Sequence, residues 1–156
     1  MDEVELRPME PADVPAVLAV QREAFGIEAR LYDDPALPPL REEAAGVLAD
    51  LTAGFGYVAV RAGCVVGSVR VRVEGRRLHI GRLAVVPDLQ GRGIGAALLA
   101  LAETAAPADE ARLFTGHRSL GNLRLYQRAG YQEHHRASVD ERVTLVHLRK
   151  RLVRPE

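Results

Sequence analysis

Between Leu78 and Glu103 the chain reads LHIGRLAVVPDLQGRGIGAALLALAE, and residue type and spacing there suggest chemistry. A β-rich run, Leu78 to Val86, ends at Pro87 and passes into Gln90-Gly91-Arg92-Gly93-Ile94-Gly95. Ile94, Ala97, Leu98, Leu101 and Ala102 then recur at helical spacing. The pattern is strand, glycine-rich turn, helix. Glycines leave no β-carbons between the backbone amides and a ligand, and the first unpaired N–H groups of the helix point into the same space. Such a turn binds phosphate. A P-loop would need Lys followed by Ser or Thr after the last glycine, where this chain has Ala96-Ala97. The dinucleotide fingerprint is met formally by Gly91, Gly93 and Ala96. Its first glycine should follow the strand directly, but Pro87-Asp88-Leu89-Gln90 intervene and two more strands precede.

The spacing Gln90-x-x-Gly93-x-Gly95, preceded by Leu83-Ala84-Val85-Val86-Pro87, resembles the acyl-CoA motif of the GNAT N-acetyltransferase superfamily, written Q/R-x-x-G-x-G/A. A second block, Asn122-Leu123-Arg124-Leu125-Tyr126-Gln127-Arg128-Ala129-Gly130-Tyr131, is similar to the family's N…LY…GF/Y segment and follows in the right order. The resemblance implies acetyl-CoA as cosubstrate. It assigns the donor to Leu83, Ala84 and Val85 of the strand, to Gln90, Gly91, Arg92, Gly93, Ile94 and Gly95 of the loop, and to Ser119, Asn122 and Tyr126. The implied reaction is direct transfer, without an acyl-enzyme, to a primary amine of a small molecule, peptide or protein N-terminus. The alternative is a non-catalytic acyl-CoA-binding sensor or interaction module of the same fold.

Direct transfer needs an amine that loses a proton, a held oxyanion and a protonated leaving thiolate. The resemblance puts the thioester carbonyl near backbone N–H groups around Leu83 to Val85, and makes Tyr126 the acid. A phenol of pKa about 10 stays protonated at neutral pH. His79, four residues before Leu83, is the candidate base, with His117 or a water chain as alternatives. One common form of the second block carries an asparagine seven residues before the tyrosine. That position is Ser119 here, so either Ser119 or Asn122 would touch CoA, or Ser119 caps a helix.

The elements that must position these residues read β-α-α-β-β-β-α-β-α-β-β, an α/β (α+β) fold. The resemblance, which extends over essentially the whole chain, makes it a GNAT-like mixed, mostly antiparallel sheet flanked by helices. A first strand at Val4-Arg7 leads to an apolar helical stripe, Val14, Val17, Leu18 and Phe25, ending at Gly26, and Ala44, Val47, Leu48 and Leu51 form a second. Between them lies a fifteen-residue loop, Gly26 to Leu40, with three prolines. In the family this region covers the acceptor pocket, so Asp33 and Asp34 either recognise a cationic amine or simply form the turn before Pro35. Tyr57 to Arg61, Cys64 to Glu74 and Arg77 to Val86 read as consecutive antiparallel strands. In the middle one Val69, Val71 and Val73 alternate with Arg70, Arg72 and Glu74, taken as a core face and a solvated face. Arg112 to Thr115, a helix from Ser119 to Ala129 closed by Gly130, and a hairpin of Tyr131 to Val139 with Arg142 to Arg149 complete the chain. In the family the fourth and fifth strands splay to admit the pantetheine arm.

Composition sets limits. The 156 residues suit one domain, 1–156. With 21 basic and 21 acidic residues and 47 % hydrophobic, the chain is neither a disordered nor a nucleic-acid-binding type. The single Cys64 excludes an internal disulfide and reads as a packed thiol. His134 and His135, adjacent on a strand, should face opposite sides, and no metal site is expected. An acidic N-terminus, and no apolar run near the roughly 20 residues that span a bilayer, give no membrane partner and a cytoplasmic location. An exposed sheet edge would admit a homodimer.

Overall fold

The computed structural model describes residues 3–34 and 37–152. Seven strands form one sheet: β1 (Val4–Pro8), β2 (Phe55–Arg61), β3 (Cys64–Glu74), β4 (Arg77–Val85), β5 (Glu110–Gly116), β6 (Gln132–Ser138) and β7 (Thr144–Arg151). Their order is β1-β2-β3-β4-β5-β7-β6, and every pairing is antiparallel except β4 with β5. The helices are α1 (Val14–Tyr32), α2 (Pro38–Arg41), α3 (Ala44–Ala53), α4 (Ile94–Ala102) and α5 (Leu120–Arg128).

Period-two alternation in the central strands feeds two cores. Val69, Val71, Leu78 and Ile80 pack with Leu98, Leu99, Ala102 and Tyr126 on one face. Val17, Leu18 and Val47, from α1 and α3, meet Val58 on the other. Leu78, Leu98 and Leu148 are fully buried, each contributing roughly 1.5–3 kcal/mol of transfer free energy.

The expected solvated face of β3 is therefore corrected, because α1 and α3 cover part of it. Arg70 is 4 % exposed, and its guanidinium donates to Glu42, to Asp50 (3.0 Å) and to Gln21 Oε1 (2.9 Å). Gln21, itself fully buried, also donates to Glu42 and to the Pro39 carbonyl. Only Arg72 and Glu74, at the outer end of the strand, are solvated as expected.

Three further expectations change. The first helix does not stop at Gly26 but runs to Tyr32, where Asp33 closes it in the left-handed region at φ 49°, and α2 takes up part of the remaining connection. Interior glycine costs a helix about 1 kcal/mol relative to alanine. Burial of Ala29 and Tyr32 offsets that. Cys64 is exposed beside the hairpin turn rather than packed. A register shift between Glu133 and His135 brings the rings of His134 and His135 together, with their Nδ1 atoms 3.0 Å apart, and His135 stacks on His147. No metal-holding cluster occurs among the described residues.

Burial works to raise the Glu42 pKa, but hydrogen bonds from Arg70 and Gln21 outweigh it and hold the group below its ordinary 4.5. A depressed carboxyl pKa contributes stability above the unfolded value and loses it as pH falls through the folded one. Glu42→Ala should therefore cost about 3 kcal/mol at pH 7, the low end for breaking a buried pair because Asp50 remains. In urea melts the gap to the wild type should narrow as pH drops below the ordinary value of 4.5.

Candidate active site

The glycine turn is built locally. After Val85 a single tight helical turn, Pro87–Leu89, redirects the chain, and the Gln90 side chain reaches back to donate to the Val85 carbonyl at 3.0 Å. Gly91 and Gly93 then adopt φ values of 77° and 89°, which L side chains rarely take, and Gly93 caps the start of α4. Ile94 turns into the core, 7 % exposed, and anchors the loop from beneath. A β-carbon added to Gly93 would meet nothing within 4 Å, so the space before the helix is open.

A bulge in β4 opens the neighbouring gap. Gly81 pairs with Arg70 and Ala84 with Ser68, so two residues, Arg82 and Leu83, oppose Val69 alone. Arg82 takes φ 53°, and its guanidinium lies 3.7 Å from Glu42. On its other side β4 pairs with β5 only from Arg77 to His79. Beyond that rung the strands part. The Val86 N–H bonds back to Val66 on β3, so by alternation the amides of Val85 and Leu83 face the gap.

A cleft of about 500 Å³ follows this gap, lined by Leu83, Ala84, Val85, Gln90, Gly91, Gly93 and Gly95, by Asn122, Arg124, Leu125 and Arg128 of α5, and by Ala24 and Glu28 of α1. The glycine cradle, two arginines and an open strand edge fit a phosphate-bearing donor with an amide-containing arm. Ala24, Glu28 and Tyr32 recur every four residues and so share one face of α1. The Ser119 hydroxyl bonds to the Glu28 carboxylate and to the Tyr32 hydroxyl, the latter at 2.8 Å, and the Arg118 N–H donates to the same phenol oxygen at 3.0 Å. Tyr32 lies so close over Gly116 that a β-carbon there would fall 2.0 Å from its hydroxyl.

Of the donor residues expected from sequence, Leu83, Ala84, Val85, Gln90, Gly91, Gly93, Gly95 and Asn122 line this cleft, and Arg92, Ile94, Ser119 and Tyr126 do not. Ser119 stands at the start of α5 without capping it through its side chain. Tyr126 is 6 % exposed and belongs to the core, next in the chain to Leu125 of the cleft lining. Burial first, and the charge of Glu28 second, push its phenol well above the ordinary value of 10.0.

His79 sits on the last β4–β5 rung, opposite Arg72 and Arg112, and outside the lining. Burial and Arg72 lower its pKa, and its Nε2 has no hydrogen-bond partner among the described residues. The His117 Nδ1 accepts from the Thr144 N–H at 3.1 Å, and its ring packs against Tyr32. Asp33 and Asp34 do not line the cleft. Asp33 is the end of α1, and the Asp34 N–H bonds to the Ala29 carbonyl. Glu28, Arg124 and Arg128 were missed from sequence. Four-residue spacing on the two helices would have found them had α1 been carried past Gly26.

A family model described as "Acetyltransferase (GNAT) domain" matches residues 41–152. The chain belongs to that family. It is an acetyltransferase domain, with acetyl-CoA as its cosubstrate. No curated relative matches it by sequence. Among solved structures it is similar to the ribosomal-protein-S18-alanine N-acetyltransferase of Escherichia coli, at 16 % identity and TM-score 0.78, covering 99 % of this chain and 97 % of that one. It is similar also to the PaiA N-acetyltransferase of Thermoplasma acidophilum in complex with coenzyme A, at 18 % identity and TM-score 0.75, covering 96 % and 99 %. A putative acetyltransferase, yncA, of Salmonella typhimurium with acetyl-CoA gives 17 % identity and TM-score 0.75, covering 96 % and 94 %. These likenesses establish the shared fold. No helix among the described residues is long and apolar enough to cross a membrane.

Arg124 and Arg128 are exposed, so their attraction for phosphate is screened by salt. Replacing both by Ala should weaken acetyl-CoA binding roughly tenfold or more in calorimetry and flatten its salt dependence. Binding of acetyl-pantetheine, which lacks the nucleotide phosphates, should not change.

Proposed function

We propose that residues 1–156 act as one acetyl-CoA-dependent N-acetyltransferase, moving the acetyl group directly to a primary amine of a small molecule, peptide or protein N-terminus. The carrying observation is the single cleft that joins the glycine cradle, the open edge of β4 and the carboxylate of Glu28. Donor and acceptor can meet in it without a covalent enzyme intermediate.

In this reading the Leu83 and Val85 edge holds the donor arm, and a backbone N–H there supports the oxyanion. The amine nitrogen forms the C–N bond as the C–S bond breaks. An ammonium acceptor gives up two protons in all, and the thiolate gains one, so one proton leaves to solvent. Tyr126 is the proposed acid, because burial and the charge of Glu28 keep its phenol protonated at neutral pH; set just outside the cleft lining, it would pass its proton to the thiolate through water. His79 and His117 lie outside the lining, so either would have to act as base through water.

The alternative, an acyl-CoA sensor or interaction module, keeps the cradle but needs neither acid nor acceptor group. Release of CoA thiol across a panel of amines, amino acids and peptide N-termini separates the two readings. Tyr126→Phe should retain acetyl-CoA binding and lower kcat by roughly 10²–10⁴-fold. If His79 is the base acting through water, His79→Ala should remove the rising limb of the kcat/KM pH profile, and an unchanged limb would reject it. Full turnover in Tyr126→Phe would remove the acid assignment.

A further inference from the structure

The charges that line the cleft are sorted by sheet face. Arg124 and Arg128 stand on α5, whose Tyr126 packs into the core on one face, whereas Glu28 stands on α1, which packs on the other. Glu28 is the one acid among the described lining residues. We infer that Glu28 is the binding site for the acceptor's ammonium group, so that the protein selects acceptors presenting a cationic, unhindered amine. This rests on the amine-acetylation reading above.

The hydrogen bonds around Glu28 have one consistent direction. The Arg118 N–H occupies the Tyr32 oxygen, and Ser119 gives its only proton to Glu28 Oε2, so the Tyr32–Ser119 bond takes its proton from Tyr32. Both hydroxyl protons point toward the carboxylate. The chain ends at a backbone amide, which cannot carry a proton away, so it serves as an anchor for an anion and not as a relay. It engages Oε2, and Glu28 itself lines the cleft.

No Arg, Lys or His side chain pairs with the half-buried Glu28 among the described residues, unlike Asp13 and Glu42, which have arginine partners. An anion held by the Ser119 hydroxyl, which Tyr32 holds in turn, facing a cavity and without a countercharge, is matched by a cation arriving from that cavity. Placed there, the ammonium lies at the same opening as the β4 edge. The same charge also helps keep the phenol of Tyr126 protonated.

The test is an NMR titration of the CoA-loaded protein with propylammonium and, separately, with 1-propanol, which is similar in size but uncharged. Propylammonium should shift the amide signals of Arg118 and Ser119 saturably, and propanol should not do so over the same range. Glu28→Gln should weaken propylammonium binding roughly tenfold or more, the size expected of a charge-assisted hydrogen bond, with CoA affinity unchanged. Glu28→Asp, which keeps the charge, should retain the preference. Equal binding of the two probes, or unchanged binding in a folded Glu28→Gln protein, would overturn the inference. Thiol release measured on the same samples keeps the two failures apart. Intact acetylation without charge preference rejects the Glu28 site alone, and ammonium binding without acetylation of any amine rejects the reaction.

Discussion

The two-residue bulge at Arg82 and Leu83 is the constraint on which the rest of the site depends. Holding a non-glycine residue in the left-handed region costs roughly 1–2 kcal/mol, and the position is over-determined by its neighbours. Arg82 reaches Glu42, which is held in turn by Arg70 and Gln21, so one carboxylate couples β3, β4, α1 and the segment before α3. Arg70 and Arg82 balance Glu42 and Asp50 in charge, which makes so buried a group tolerable. The β4–β5 ladder ends at His79, just before the bulge, and the amide edge of Leu83 and Val85 is left open.

Burying an arginine network beside a strand edge is expensive, and its return is positional. The same α1 that covers Arg70 continues over the gap and sets Glu28 at its mouth. One rigid helix thus braces the bulge through Gln21 and presents the acceptor-side carboxylate two turns later. Tyr32, pinned over Gly116 and bonded to Ser119, fixes the far end of that helix against the start of α5.

Much of this was legible from sequence, and the division has a physical cause. The cradle from Gln90 to Gly95 is contiguous, and its φ angles demand glycine, so the residues themselves announce it. Strand boundaries in β2 to β4 followed from period-two alternation and Gly-containing turns. Alternation fails, however, where a second layer covers the other face, as at Arg70. It fails also where a bulge changes the phase, as at Arg82 and between Glu133 and His135. Neither event leaves a local mark.

The acceptor side was illegible for the complementary reason. Glu28 and Ser119 are 91 residues apart in the chain, and Tyr32 and Ser119 are 87 apart, so their partnership exists only after the sheet has formed. Gly26 argued for a helix end, and the intrinsic cost it carries is real, but it is smaller than what the burial of Ala29 and Tyr32 returns. Propensity decided the reading and tertiary packing decided the structure. The donor half is thus a local motif that any sheet of this kind can host. The acceptor half is an assembly of distant parts whose geometry depends on the bulge and on the helix that braces it.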